Sequence, residues 1–290
     1  MRSSFALVLV FIALVSCKRS KFESDYLKFK HDGETRTYLL HIPKTYSESV
    51  TTSLVIALHG GTGSAKNIES QSGLPELSDE KGFILCSPNG LNRTWNAGWC
   101  CGKASKNDVD DVGFISVLIN HLLSNYNIDS RRIYVTGMSN GAMMSYRLAC
   151  ELDNIAAIAP VAGTMVTDCA PSSNFSIIHF HSKKDRNVPV DGGIGSGISD
   201  HYNPALDSVR QFWASHLRCM NDSTSATDGF DFWSNSNCAD SSEIQFYITN
   251  DGGHSWPGGT QPRKKADTPS TVIDANELMW EFFKSHPRRN

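Results

Sequence analysis

What most constrains this chain is a succession of short, continuous apolar runs, separated by stretches with helical apolar spacing. LVIALHGG (Leu54 to Gly61), GFILCSP (Gly82 to Pro88), IAAIAPVAG (Ile155 to Gly163) and FSIIHFHS (Phe175 to Ser182) show little polar alternation. Such runs suit strands buried on both faces, as parallel strands are. RIYVTG (Arg132 to Gly137) and EIQFYIT (Glu243 to Thr249) are read as two further strands, and TRTYLLHIP (Thr35 to Pro43) alternates like an early antiparallel one. Between them, Ile115, Leu118, Ile119 and Leu122 recur at helical spacing, with Asp110 or Asp111 where the N-cap belongs. A helix follows Ser139, another is expected over about 203–218, and a last one over roughly 270–286 carries Ala275, Leu278, Met279 and Phe282 on one stripe. The serine-rich stretch from Asn221 to Ser242 is read as a polar excursion. Strands alternating with helices predict an α/β architecture, a mostly parallel central sheet with helices on both faces. No linker or repeat divides it, so a single domain is expected over 31–286.

The N-terminus reads as an address rather than as fold. Arg2 precedes FALVLVFIALV (Phe5 to Val15), too short for a stable bilayer span and suited to a signal h-region. It runs into LVSC (Leu14 to Cys17), which resembles a bacterial lipobox, so 1–17 is expected to be a signal peptide and 18–30 an exported linker. The protein is expected to be exported, either as a cell-envelope lipoprotein whose only membrane association is a lipid on Cys17 or, with ordinary signal cleavage and Cys17 incidental, as a secreted protein. A net charge of -3 gives no electrostatic reason to expect a nucleic-acid partner. Export makes the cysteines interpretable. Of eight, removing Cys17 leaves seven (Cys86, Cys100, Cys101, Cys150, Cys169, Cys219 and Cys238), so at least one is expected to be free. None shows C-x-x-C spacing, which argues against zinc. Cys219 and Cys238 bracket the polar excursion and are expected to pair; Cys150 with Cys169 is a second candidate.

Chemistry points to Gly137-Met138-Ser139-Asn140-Gly141, which follows a strand and opens a helix. In that context G-x-S-x-G describes a nucleophile elbow, a sharp turn holding the serine in a strained conformation. A hydroxyl needs a base, and the base needs an orienting acid. Asp185 lies just past the FSIIHFHS strand, with Asp191 as a rival deeper in a glycine-rich loop. His254 lies just past the EIQFYIT strand, whereas His201, His216 and His286 fall near or on expected helices. Asp251 reads as a turn residue. For the oxyanion, LHGGTGS (Leu58 to Ser64) offers the backbone N–H of Gly61 or Thr62, to act with that of Asn140.

Two other clusters attract attention. His179 and His181 share one face of a strand, but no third metal ligand is evident, and positioning the Asp185 loop is the favoured role; no metal or cofactor is expected. TWNAGWCCG (Thr94 to Gly102) places Trp95, Trp99 and two cysteines in one loop, either a substrate wall or a packed, stapled loop. Trp256, beside His254, is a further candidate for contact with substrate.

Taken in order, LHGGTGS, SPNG with WNAGWCCG, DDVGF, YVTGMSNGAMMSYRLAC, APVAGT, HSKKDRNVPVDGG, GGHSWPGG and DANELMWEFF resemble the polyhydroxybutyrate depolymerase and feruloyl esterase group, near carbohydrate esterase family one. The resemblance runs through nearly the whole mature chain, and GGHSWPG is its most specific part. It implies an α/β-hydrolase fold without a large separate cap domain, and a serine esterase working through an acyl-enzyme on feruloyl or acetyl esters of plant polysaccharide or on hydroxyalkanoate oligomers. It supports Asp185 as the acid; where the family pattern has glycine, this chain has Ser182. Two competing readings are a peptidase on the same triad and a catalytically silent, lipid-anchored polysaccharide-binding protein. Neither the acyl group, the alcohol nor the oligomeric state is written in these motifs. The loops Asn89 to Lys106 and Asp191 to Tyr202 are expected to shape the pocket.

Overall fold

A computed structural model describes residues 26–171, 173–196 and 201–289. The signal segment 1–17 and the first part of the 18–30 linker lie outside the described residues. The chain enters through an edge hairpin, β1 (Leu27–His31) and β2 (Glu34–His41), then the buried strand β3 (Thr52–Leu58). Two short helices, α1 (Ala65–Ser72) and α2 (Leu74–Lys81), lead to β4 (Ile84–Pro88). The loop that follows carries α3 (Gly102–Lys106) and feeds α4 (Asp111–Asn125). Then come β5 (Ile128–Met138), α5 (Asn140–Glu151), β6 (Ala157–Val161) and β7 (Ser176–Ser182). A two-residue pair, β8 (Gly193–Ile194) and β9 (Tyr202–Asn203), precedes α6 (Leu206–His216). β10 (Asn221–Ala226), β11 (Phe230–Ser236), β12 (Ile244–Thr249) and α7 (Ala275–Ser285) complete it.

Ten strands form one sheet in the order β1-β2-β4-β3-β5-β6-β7-β12-β11-β10. The central six, β4 to β12 in that order, are parallel, and an antiparallel hairpin extends each end. Along β3, Leu54, Ile56 and Leu58 enter one core with α4, α5 and α6, while Val55 and Ala57 enter the other with α1, α2 and α7. That two-sided burial explains the unbroken apolar runs. Among the described residues there is no separate cap domain.

Several boundaries differ from the sequence reading. Leu27–His31, mostly read as linker, is a strand: LKFKH pairs with β2 and sets Phe29 beside Phe114 and His121. The polar excursion is two strands: β11 pairs with β12 across its full length, and the wholly exposed β10 forms the outer edge. The two late helices are shorter than expected, and Asp274 caps α7 by accepting from the Asn276 and Glu277 N–H groups. Cys150–Cys169 and Cys219–Cys238 are disulfides as expected, and the adjacent Cys100 and Cys101 pair with each other. Cys86 is free and buried, and burial pushes its thiol up.

The DDVGF segment locks this frame. Asp110 caps α4 by accepting from Gly113 N–H at 2.8 Å. Asp111, fully buried, accepts from Arg36 Nη2 at 2.5 Å and from the Asn96 N–H at 2.8 Å, while the guanidinium lies 3.9 Å from the Phe114 ring centre. One carboxylate thus joins β2, α4 and the tryptophan loop. Breaking a buried pair from one side strands the other charge. Asp111→Asn is therefore expected to cost roughly 3–5 kcal/mol, read from urea unfolding, and the double change to Arg36→Leu with Asp111→Leu markedly less.

Candidate active site

Ser139 sits between β5 and α5 with φ 57° and ψ -119°. A non-glycine residue there stores about 1–3 kcal/mol of strain, so the surroundings must impose it. Its N–H donates to Val161 O at 2.9 Å and its carbonyl accepts from Met143 N–H at 2.9 Å. Both motif glycines are required by close approach. A Cβ on Gly137 would fall 2.6 Å from the Gly141 backbone, and one on Gly141 would strike the Leu58 carbonyl. The Asn140 side chain brackets the Trp95 backbone, accepting from its N–H at 2.7 Å and donating to its carbonyl at 3.0 Å. Ser139 Oγ makes no hydrogen bond among the described residues, to His254 or to any other.

Asp185 and His254 are joined directly. His254 Nδ1 donates to Asp185 Oδ2 at 2.8 Å, which leaves Nε2 as the acceptor. The other oxygen, Oδ1, accepts the N–H groups of Asn187 (2.8 Å) and Val188 (2.9 Å). The Asp185 side chain is fully buried, and burial alone would raise its pKa. The charge of His254 and hydrogen bonds from His181 and His254 outweigh that, holding the carboxyl well below the usual carboxylate range. The His254 backbone N–H donates to Asp267 Oδ2 at 2.7 Å, an anchor that sequence reading missed. Ser182, standing where the family pattern has glycine, ties the two loops together: its hydroxyl donates to Asp251 O at 2.8 Å and accepts from Lys184 N–H at 3.0 Å. The Asp251 carboxylate accepts from Ser270 and Thr271, as a turn residue would. Asp191 makes no bond to His254. Ser139, Asp185 and His254 follow β5, β7 and β12, so all three lie at the carboxyl edge of the parallel strands, where open α/β sheets place their ligands.

The oxyanion candidates separate. The Thr62 N–H is already donated to Arg93 O at 2.8 Å, which removes it as a donor. The Gly61 N–H has no acceptor among the described residues, and Asn140 opens α5, so its N–H has no partner within the helix. Beneath the loop, His59 Nδ1 donates to Gly60 O at 2.8 Å and its Nε2 accepts from Gly90 N–H at 3.0 Å. Burial lowers its pKa to about 4.

The tryptophans also separate. Trp95 is fully buried, its Nε1 donating to His59 O at 2.9 Å, so it clamps the glycine loop from behind and offers no face to substrate. Trp256 is buried too, its Nε1 donating to Asn276 Oδ1 at 2.9 Å. Both fill the core because an indole buries a large area once its N–H is satisfied. Trp99 alone is open, 48% exposed, with Nε1 donating to Tyr202 O at 3.4 Å. That bond links the two loops expected to shape the pocket.

A strained serine elbow, a histidine–carboxylate pair and free loop amides on one edge of a doubly covered parallel sheet define a hydrolase of the α/β class. The chain belongs to the family described as Esterase PHB depolymerase, which matches residues 36–209. It is 30% identical over 260 residues to NocK of Nocardia uniformis subsp. tsuyamanensis, whose name assigns it provisionally to the esterases; the match covers 82% of this chain and 76% of that one. It is 30% identical over 183 residues to feruloyl esterase D of Neurospora crassa, covering 59% of this chain and 60% of that one. Against feruloyl esterase C of Emericella nidulans the figures are 28% over 166 residues, 55% and 58%. The chain thus spans about three-fifths of those two enzymes. The fold is shared with acetyl xylan esterase from Aspergillus awamori, with a TM-score of 0.59 at 17% identity over 86% of this chain and 94% of that one.

His59 makes stability depend on pH. Its folded value of about 4 lies below the 6.5 of an unfolded histidine, so in that window the unfolded chain binds more protons. Its contribution is complete above pH 6.5 and is lost as pH falls toward 4, by about 3 kcal/mol. In urea titrations at pH 7 and 4.5, His59→Gln is expected to show the flatter dependence.

Proposed function

We propose that this carboxylic-ester hydrolase works by two-step acyl transfer on Ser139. As the hydroxyl adds to the ester carbonyl, its proton passes to His254 Nε2, and Asp185 stabilises the imidazolium. The oxyanion is held by the N–H groups of Gly61 and Asn140. The carbonyl re-forms as the alcohol leaves with the proton from His254, giving a Ser139 acyl ester. Water, deprotonated by the same histidine, then releases the acid. The observation that carries this reading is the Nδ1–Oδ2 bond of 2.8 Å between His254 and a fully buried Asp185, on the same sheet edge as the strained serine.

The relatives and one exposed ring support a substrate class. Two curated relatives are named feruloyl esterases and a structural neighbour acetyl xylan esterase, which supports feruloyl or acetyl esters of plant polysaccharide, with hydroxyalkanoate oligomers as the family description's alternative. Trp99 supplies an exposed aromatic surface of the kind on which a sugar or phenyl ring packs. Three disulfides support an exported enzyme, with the Cys17 lipid anchor as the proposed attachment. A silent binding protein has no use for the strain at Ser139.

Ser139→Ala is expected to lower kcat for short nitrophenyl esters on the order of a millionfold with the fold intact, and Asp185→Asn about 10⁴-fold. Turnover at the wild-type rate in Ser139→Ala, or failure of a fluorophosphonate to label Ser139, overturns the mechanism. A panel of feruloylated and acetylated oligosaccharides, hydroxybutyrate oligomers and peptides reads the substrate class; preference for peptides would reject the ester assignment.

A further inference from the structure

Behind Asp185 the structure holds a run of polar side chains that the acyl transfer itself does not use. Tyr146 Oη lies 2.9 Å from His179 Nδ1, and His179 Nε2 lies 3.1 Å from His181 Nδ1. His181 Nε2 lies 2.8 Å from Val188 O and 3.3 Å from Asp185 Oδ2. All three side chains are buried, and Phe246 of β12 stacks on His179 with ring centres 4.6 Å apart. We infer that Tyr146, His179 and His181 form a one-directional chain of hydrogen-bond donors that positions Asp185 and sets how strongly that carboxylate holds His254. The inference rests on the triad reading above.

Both ends of the chain fix its direction. Val188 O and the Asp185 carboxylate can only accept, so His181 carries its proton on Nε2 and presents a bare Nδ1. His179 must then donate from Nε2, which leaves its own Nδ1 to accept. At the far end, the buried Tyr146 hydroxyl has His179 Nδ1 as its one acceptor among the described residues, so it donates there. The two assignments meet without conflict, with each histidine neutral and in a single tautomer. Burial reinforces this, raising the Tyr146 phenol well above its ordinary value and, together with His181, lowering His179 well below its own, although Asp185 opposes the latter.

The consequence for the reaction concerns Asp185 Oδ2, which accepts from His254 Nδ1 at 2.8 Å and lies 3.3 Å from His181 Nε2, whose N–H donates to Val188 O at 2.8 Å. The His181 N–H dipole beside it spreads its charge, and the bond to Val188 O holds in place the residue whose own N–H pins Asp185 Oδ1 against rotation. Removing the His181 N–H leaves a more basic, less restrained carboxylate that stabilises the His254 imidazolium more strongly at rest. The groups facing the pair are His181 and His179 from β7, Tyr146 from α5, and Asp267, which accepts the His254 backbone N–H.

Three variants of the full chain test this: His181→Leu removes the donor, His181→Gln keeps an N–H near the place of Nε2, and Tyr146→Phe deletes only the hydroxyl. In His181→Leu, kcat is expected to fall roughly tenfold with KM little changed, and the acidic limb of the kcat/KM profile to move to higher pH. His181→Gln should recover most of both, and Tyr146→Phe should give a smaller loss in the same direction. Histidine ¹⁵N shifts of the wild type should show His179 and His181 as single Nε2–H tautomers, with the His179 signal altered in Tyr146→Phe. A folded His181→Leu with wild-type kcat and pH profile overturns the chain, as does a doubly protonated His181 or an Nδ1–H His179. If His181→Leu does not fold, the ¹⁵N spectra and Tyr146→Phe decide. Loss of activity in Ser139→Ala beside an unaffected His181→Leu rejects the chain alone, whereas a fully active Ser139→Ala rejects the triad and leaves the tautomers as the chain's own readout.

Discussion

The site depends on one backbone constraint, the positive φ of Ser139. A residue with a side chain avoids that conformation, so it persists only where the framework leaves no alternative. Here the framework is close approach. Gly137 and Gly141 let β5, α5 and the end of β3 come together at distances no Cβ would allow, and Asn140 holds the loop bearing Trp95 against the helix start. The same closeness brings the Leu58–Gly61 segment beside the serine, so the strained turn and the free Gly61 amide have a common origin. Strain at Ser139 and preorganisation of the loop are one packing event.

What was legible in the sequence follows from what burial does to composition. Strands β3, β4 and β6 are covered on both faces, so their residues are mostly apolar and stand out. β10 is exposed at every residue, and NDSTSA carries neither an apolar run nor an alternation, so nothing local distinguishes it from a loop. Its strand character comes from pairing with β11, a nonlocal fact. α1 and α2 are eight residues each and mostly polar, with one turn's worth of apolar anchors. That Asp185 and His254 each follow a buried strand was legible because order along the chain and position after a strand are local properties.

The tryptophans and Thr62 mark the limit of that logic. A side chain's type says nothing of which way its loop folds, so Trp95 and Trp99 read alike although one is sealed behind the glycine loop and the other faces solvent. Thr62 and Gly61 are neighbours in the same motif, yet the carbonyl of Arg93 occupies one amide and leaves the other free. Donor availability is decided by a partner distant in sequence, Arg93, which no motif encodes.

Buried polarity is distributed unevenly in this fold, and the pattern separates two uses of it. Arg36 and Asp111 meet behind the tryptophan loop and join three elements, a structural role that apolar replacements of similar volume would fill at little cost. The run from Tyr146 through His179 and His181 to Asp185 is different. Three apolar residues would pack between α5, β7 and β12 with no desolvation to offset, whereas this run stays tolerable only while every donor finds its acceptor. Its single tautomeric solution is a demanding way to fill a core. It ends beside the one carboxylate that, in the mechanism proposed above, orients the histidine base, and under that proposal this destination, rather than stability, accounts for a polar thread through the core.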